Sequence, residues 1–312
     1  MNMNVNPNAQ AAAPQRLSAL LSQVAVIVSV STSSLGMRRI DKEASSQSDR
    51  AHNAKEGAGK TSVSRLAGAE DRIKEINQAK TACVDVVKKW TSKWGDKGDM
   101  LPNVNIQNML QEFGPAKAEY DRLVASFVAD SPRLIANAEL NKGTYNVDPP
   151  TVEECASAFS LTLEMEQIPD SQTFAAKGMD KQIEEELKRR FEASIASAYQ
   201  QAQTDALIRL QKPLAAIVER MTAYDQREAD VAKGLPVGCD GYFRDTLMTN
   251  LHEIAEVFGS FNLTDDPGLA KIAEMLDAFE NIDAKDLRNS KELRSDTAKR
   301  AAEILATLGD WL

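Results

Sequence analysis

Gly57-Ala58-Gly59-Lys60-Thr61-Ser62 has the ending of a phosphate-binding loop, GxxxxGK[ST]. In such a loop backbone N–H groups at a helix start cradle the phosphates, and the lysine reaches their outer oxygens. The pattern needs glycine five residues before Gly59, and position 54 is alanine. The preceding SSQSDRAHNAKE is not a strand, and no apolar strand ending in aspartate follows to hold magnesium. A flexible Gly/Lys loop is therefore the reading taken, and nucleotide turnover through Lys60 ranks third among the functions considered.

Arg38, Arg39, Lys42, Arg50, Lys55, Lys60, Arg65, Arg72 and Lys74 lie close in sequence around that loop. Cations on a mobile arm can neutralise the phosphates of a single strand or a duplex. Trp90 and Trp94 offer faces on which bases can stack. The alternative is a solvated surface with Asp and Glu interspersed and both tryptophans in the core.

Other constellations carry less. His252-Glu253 would need a second histidine at position 256 to make a zinc site, and that residue is glutamate. His52 is the only other histidine, so a His-rich metal site is excluded. Asp265-Asp266 before Pro267 read as helix caps. Glu184-Glu185-Glu186 and Lys188-Arg189-Arg190 give i,i+4 pairs on a solvated helix face. No Ser/His/Asp or Cys/His arrangement can be assembled. Cys83, Cys155 and Cys239 are odd in number and far apart, which suits buried or free thiols in a reducing compartment. The expectation is a protein that is not an enzyme and holds no cofactor.

The elements that must position these residues follow from composition and periodicity. Aromatics make up only 5% of the chain while 43% is hydrophobic, so a core built mainly from helices is favoured over a β-sandwich. Residues 1–15 are rich in Asn, Ala and Pro and read as a disordered tail. A short helix at 16–22 precedes a β-branched strand at 24–30 that could run on to Ile40. Residues 41–62 are polar and read as an arm or mobile loop. A helix at about 66–93 ends at Gly95 and Gly98; short and long helices follow at 106–113 and 115–140, the second interrupted by Pro132. Thr151 and Glu154 open a helix, and 159–166 alternates as a half-buried strand. From Met179 to Tyr224 apolar residues recur every three or four positions, including Leu187, Phe191 and Ile195, with Pro213 expected to kink or split the helix. Helices at 241–258, 267–279 and 289–309 complete the chain.

Charge is unevenly shared. Residues 15–99 hold 15 Lys/Arg and 10 Asp/Glu, a net of +5; with −9 for the whole chain, −14 falls on the rest. A basic segment on an acidic body suits a polar interaction surface and self-assembly. The most apolar stretch, 17–30, is too short to cross a bilayer and lacks the basic flank of a signal peptide, which points to the cytoplasm and away from a membrane.

The order of landmarks resembles the DUF3150 group of uncharacterised phage and bacterial proteins. It runs VAVIVSVSTSSLGMRR, KKWTSKWGDKGDMLPN, AEYDRLVASFVADSPRLIANA, FSLTLEMEQIPD, FRDTLMTNLHEI and NLTDDPGLA, across about residues 22–275. The group usually carries an aromatic beside a Gly-Arg-Lys turn where this chain has Ser33-Ser34-Leu35-Gly36-Met37-Arg38-Arg39. The resemblance implies a phage-encoded protein in the host cytoplasm, set beside AAA+ ATPases of the MoxR kind and von Willebrand A-type partners. It transfers no catalytic residue.

The sequence thus predicts an α+β chain, predominantly α-helical, with a small N-terminal sheet and an elongated helical bundle. The expected division is a 16–170 domain carrying the basic arm and a 171–312 bundle. The expected function is that of a non-enzymatic, self-assembling phage protein whose arm contacts single-stranded nucleic acid or a neighbouring subunit. The alternative is an adaptor subunit of a MoxR-type ATPase system.

Overall fold

A computed structural model describes residues 17–96, 98–171, 180–235, 244–309 and 311. It is an α+β protein, predominantly helical, with a four-stranded sheet and a separate two-stranded ribbon. The expected tail at 1–15 and Cys239 lie outside the described residues.

The chain forms two compact units that interleave along the sequence and do not meet at residue 170. One comprises Met1–Ser29, Lys88–Gln107 and Met165–Leu312, the other Val30–Val87 and Asn108–Glu164. The cause is non-local pairing, which a cut by composition cannot register.

In the first unit, helix α1 (Leu17–Val24) leads into strand β1 (Ala25–Ser33), which belongs to this unit as far as Ser29 and to the second from Val30. Strands β4 (Ser92–Trp94) and β5 (Gly98–Pro102) form a hairpin, and β5 pairs antiparallel with β1 from Ala25↔Pro102 to Val28↔Asp99. Gly95 and Gly98 do not end a helix; they shape this hairpin. A Cβ on Gly98 would stand 2.6 Å from the Val28 carbonyl oxygen, and its φ of 147° suits only glycine. Strand β6 (Ser160–Gln167) flanks β1, so the two strands expected to be neighbours are neighbours.

Helix α6 (Lys181–Ala232) runs through Pro213 without a break and is about 78 Å long at the standard rise. Its stripe Ile195, Tyr199, Ala202, Ala206, Leu210, Leu214, Ile217 and Met221 is buried. Helices α7 (Thr246–Phe258) and α10 (Lys291–Gly309) pack on it, and α8 (Pro267–Asp277) and α9 (Ala284–Asn289) complete the unit. Arg294 of α10 is 1% exposed; it pairs with Asp225 at 2.7 Å and Glu228 at 2.5 Å and lies over the Tyr224 ring. The N-terminal part of the expected stripe differs. Ile183 is exposed and Leu187 and Phe191 are only half-buried; the buried side chain of that turn is Glu192, bonded to the Ser18 and Ser171 hydroxyls, so the apolar stripe is fully buried only from Ile195 on.

In the second unit, helices α3 (Glu70–Trp90) and α4 (Ile106–Asn141) carry most of the core. Helix α4 is continuous through Pro115 and Pro132. Proline at 132 deprives the Val128 carbonyl of its helical N–H partner, and the Ser131 hydroxyl donates to that carbonyl at 2.8 Å instead. Helix α5 (Val152–Ser157) begins with the capping box expected from Thr151 and Glu154. Phe127 and Phe159 meet edge to face at 5.4 Å.

Ile217→Ala is expected to cost about 2–5 kcal/mol in urea unfolding, the range for a fully buried residue that leaves a cavity. Phe191→Ala is expected to cost less than the roughly 3 kcal/mol at which buried phenylalanines begin. Equal costs would contradict the burial pattern of α6.

Candidate nucleic-acid interface

The segment expected to be a mobile arm is folded. Strand β2 (Arg38–Asp41), helix α2 (Lys42–Ala51) and strand β3 (Thr61–Ser64) form a small module inside the second unit. β2 and β3 pair antiparallel from Arg38↔Ser64 to Asp41↔Thr61. β1 and β2 are separate strands in different sheets, so the strand does not run on from 24 to 40.

What holds α2 is a stripe of polar side chains at spacing four. Asp41 is its N-cap: Oδ1 accepts from Ala44 N–H at 2.9 Å, and Oδ2 accepts from Asn146 N–H at 2.6 Å. Ser45 Oγ donates to the Asp41 carbonyl and accepts from Thr61 N–H at 2.9 Å. Asp49 receives the Gly57 N–H on Oδ2 and the Gly59 N–H on Oδ1, both at 2.8 Å. All three are buried, Asp41 to 2%, Ser45 to 8% and Asp49 to 4% exposure. Residues i, i+4 and i+8 share one helix face, so a face without large apolar groups is fixed by side-chain-to-backbone bonds. The Ala44 N–H above all keeps the Asp41 carboxyl below its ordinary value of 3.8.

The Gly57–Ser62 segment gains its meaning here. The amides that a phosphate loop would offer to a ligand already bind Asp49. Gly57 has φ of 86°, and a Cβ on Gly59 would come within 2.9 Å of Asp49 Oδ1. The two glycines are those that an internal carboxylate requires, and the third-ranked nucleotide reading loses its donors.

Of the nine candidate cations, Lys74 is exposed on α3 outside the module and the other eight separate into two groups. Arg38, Arg39, Lys42, Arg50, Lys55 and Lys60 are exposed on the module. Arg38 touches Ser62 through Nε and one Nη, both at 3.2 Å. Arg65 and Arg72 serve the fold. Arg65 is 8% exposed, pairs with Glu154 at 2.8 Å and donates to the Asp148 carbonyl, while Arg72 pairs with Asp130. The Thr151 N–H first, and Arg65 next, hold Glu154 below the usual carboxylate range. Trp90 and Trp94 are 2% and 4% exposed, so they are core residues and present no face to a base.

The remaining motifs are structural. His252 Nε2 donates to the Phe279 carbonyl at 2.9 Å, and Asp266 caps α8 by accepting from Gly268 and Leu269 N–H. Glu184–Lys188 and Glu186–Arg190 are i,i+4 pairs. Cys83 and Cys155 are buried free thiols whose pKa burial pushes up. Among the described residues no helix is long and apolar enough to cross a membrane. The sequence reading missed Asp41, Ser45 and Asp49 as organisers; their spacing of four was the available signal.

The chain matches no protein-family model, no curated protein and no solved structure.

Asp49→Ala is expected to free the loop, so that trypsin cleaves after Lys55 and Lys60 well before the rest of the native protein, whereas the parent resists there. Equal cleavage in both would show that Asp49 does not hold the loop. The Asp41 contribution to stability is present above the unfolded carboxyl value and is lost as pH falls through the lower folded value. The module is therefore expected to loosen only below pH 3.8, seen as increased amide exchange in α2.

Proposed function

We propose that this is a non-enzymatic protein that contacts nucleic-acid phosphates through the β2–α2–β3 module. The observation that carries the reading is how the module sorts its charges. Asp41 and Asp49 turn inward onto backbone N–H groups, which leaves Glu43 and Glu56 as the exposed acids beside six exposed cations. Arginine and lysine held outward on an ordered module suit phosphate neutralisation, which positions a strand without reading its sequence. The resemblance in landmark order supports a phage setting in the host cytoplasm. A second reading, contact with a neighbouring copy in a self-assembled particle, is favoured by the +5 and −14 charge division, since the basic segment 15–99 that contains the module complements the acidic remainder of the chain.

The log–log slope of affinity against salt tests the first reading, at about −0.7 per phosphate contact for single strands. Replacing Arg38, Arg39, Lys55 and Lys60 by alanine is expected to flatten that slope by about 2 to 3. Arg65→Ala is expected to lower stability and leave the slope alone. No binding at low salt would overturn the nucleic-acid reading. Salt-sensitive self-association, lost in the same quadruple variant, would then favour the subunit contact.

A further inference from the structure

A groove of about 690 Å³ opens in the second unit beside the module. One face of α3 forms its length, and Met37, Arg38 and Ser64 wall it near the start of that helix. Its volume lies within the range of small-ligand sites. Arg38 belongs both to the groove and to the basic surface, so the two are continuous.

The groove is lined differently from a surface that only meets phosphates. Arg38 and Lys74 supply positive charge toward one end, and Met37 and Ile73 supply apolar contact. Further along α3 stand two amides, Asn77 and Gln78. Asn77 Oδ1 accepts from the Ser34 hydroxyl, and its NH2 group has no partner among the described residues. The Gln78 amide is exposed and makes no hydrogen bond among the described residues. Two acids also line the groove. Glu70 is exposed, accepts from Gly68 N–H at 2.7 Å and from the Ser64 hydroxyl at 3.2 Å, and faces the Arg38 charge, so the Arg38–Lys74 end carries two cations against one acid. Asp85 lies three turns along α3 from Lys74, about 16 Å away at the helical rise, so phosphates are favoured at the Arg38–Lys74 end.

We propose that the groove takes one or more unstacked bases of a single strand, with the adjoining phosphates on Arg38 and Lys74 and a base edge on Asn77 and Gln78. The inference rests on the nucleic-acid reading above and makes it specific. A duplex keeps its base edges inside its own grooves, whereas a single strand can splay a base into a protein site. Carboxamides pair with adenine in a bidentate manner, accepting from the exocyclic amine and donating to a ring nitrogen. Among the described residues no aromatic ring lines this groove, so hydrogen bonding is the means of preference among bases that the groove offers.

The test is fluorescence anisotropy on the full chain with labelled oligo(dA), oligo(dT) and a duplex of equal length, at one fixed low salt concentration. The parent is expected to prefer oligo(dA) by about fivefold or more, the least that one good bidentate pair contributes. Gln78→Met keeps the side-chain length and removes the hydrogen-bonding amide without adding charge; Asn77→Ala with Gln78→Ala removes both amides. Either variant is expected to abolish the preference and leave duplex affinity unchanged. Equal binding of all three probes by the parent, or a preference that survives both variants, would overturn the groove inference and leave the phosphate-contact reading standing. No binding of any probe would overturn both.

Discussion

Asp41, Ser45 and Asp49 do for α2 what leucines do for the other helices. The sequence KEASSQSDRA offers no apolar stripe that could repay the entropy of ordering ten residues. It has instead three polar groups at spacing four, each bonded to the backbone of a neighbouring segment. Hydrogen bonds to ionised partners are stronger than neutral ones, and burial raises the cost of breaking them. The same three residues close the helix start, the β3 entry and the glycine loop. Because the module's aspartates are drawn inward for this purpose, its six exposed cations outnumber its two exposed acids, Glu43 and Glu56.

The helical core was largely legible. Apolar residues at three-four spacing marked α3, α6 and α7, and the capping signals of Thr151 and Asp266 fell where caps stand. The interruption expected at Pro132 and the split at Pro213 do not occur, because proline removes only one hydrogen bond and one carbonyl partner. Ser131 supplies the missing donor at Pro132, and the apolar stripe of α6 is buried from Ile195 to Met221, on both sides of Pro213. The β4–β5 hairpin was hidden because three-residue and five-residue strands carry too little alternation to be separated from a helix end.

The candidate site was half legible. Charge patterning singled out a run of cations of which six stand exposed on the module, but it could not distinguish Arg50, which is exposed, from Arg65, which is enclosed by Glu154 and Asp148 some eighty residues onward. Such pairing depends on tertiary contact and leaves no local trace. Polarity was equated with mobility across 41–62, and the spacing of four that contradicts this was overlooked because it is carried by Asp and Ser instead of Leu and Ile. The interleaving of the two units has the same origin, since segments distant in sequence complete each core.

The central claim is that an internal carboxylate orders the basic loop in the free protein. Amide hydrogen exchange measured by NMR at Gly57, Gly59 and Thr61 tests it most directly. The account predicts that these three amides, bonded to Asp49 and Ser45, are protected well beyond the exposed amide of Glu56 between them and the helix. Exchange of all four at the rate of an unstructured peptide would contradict it.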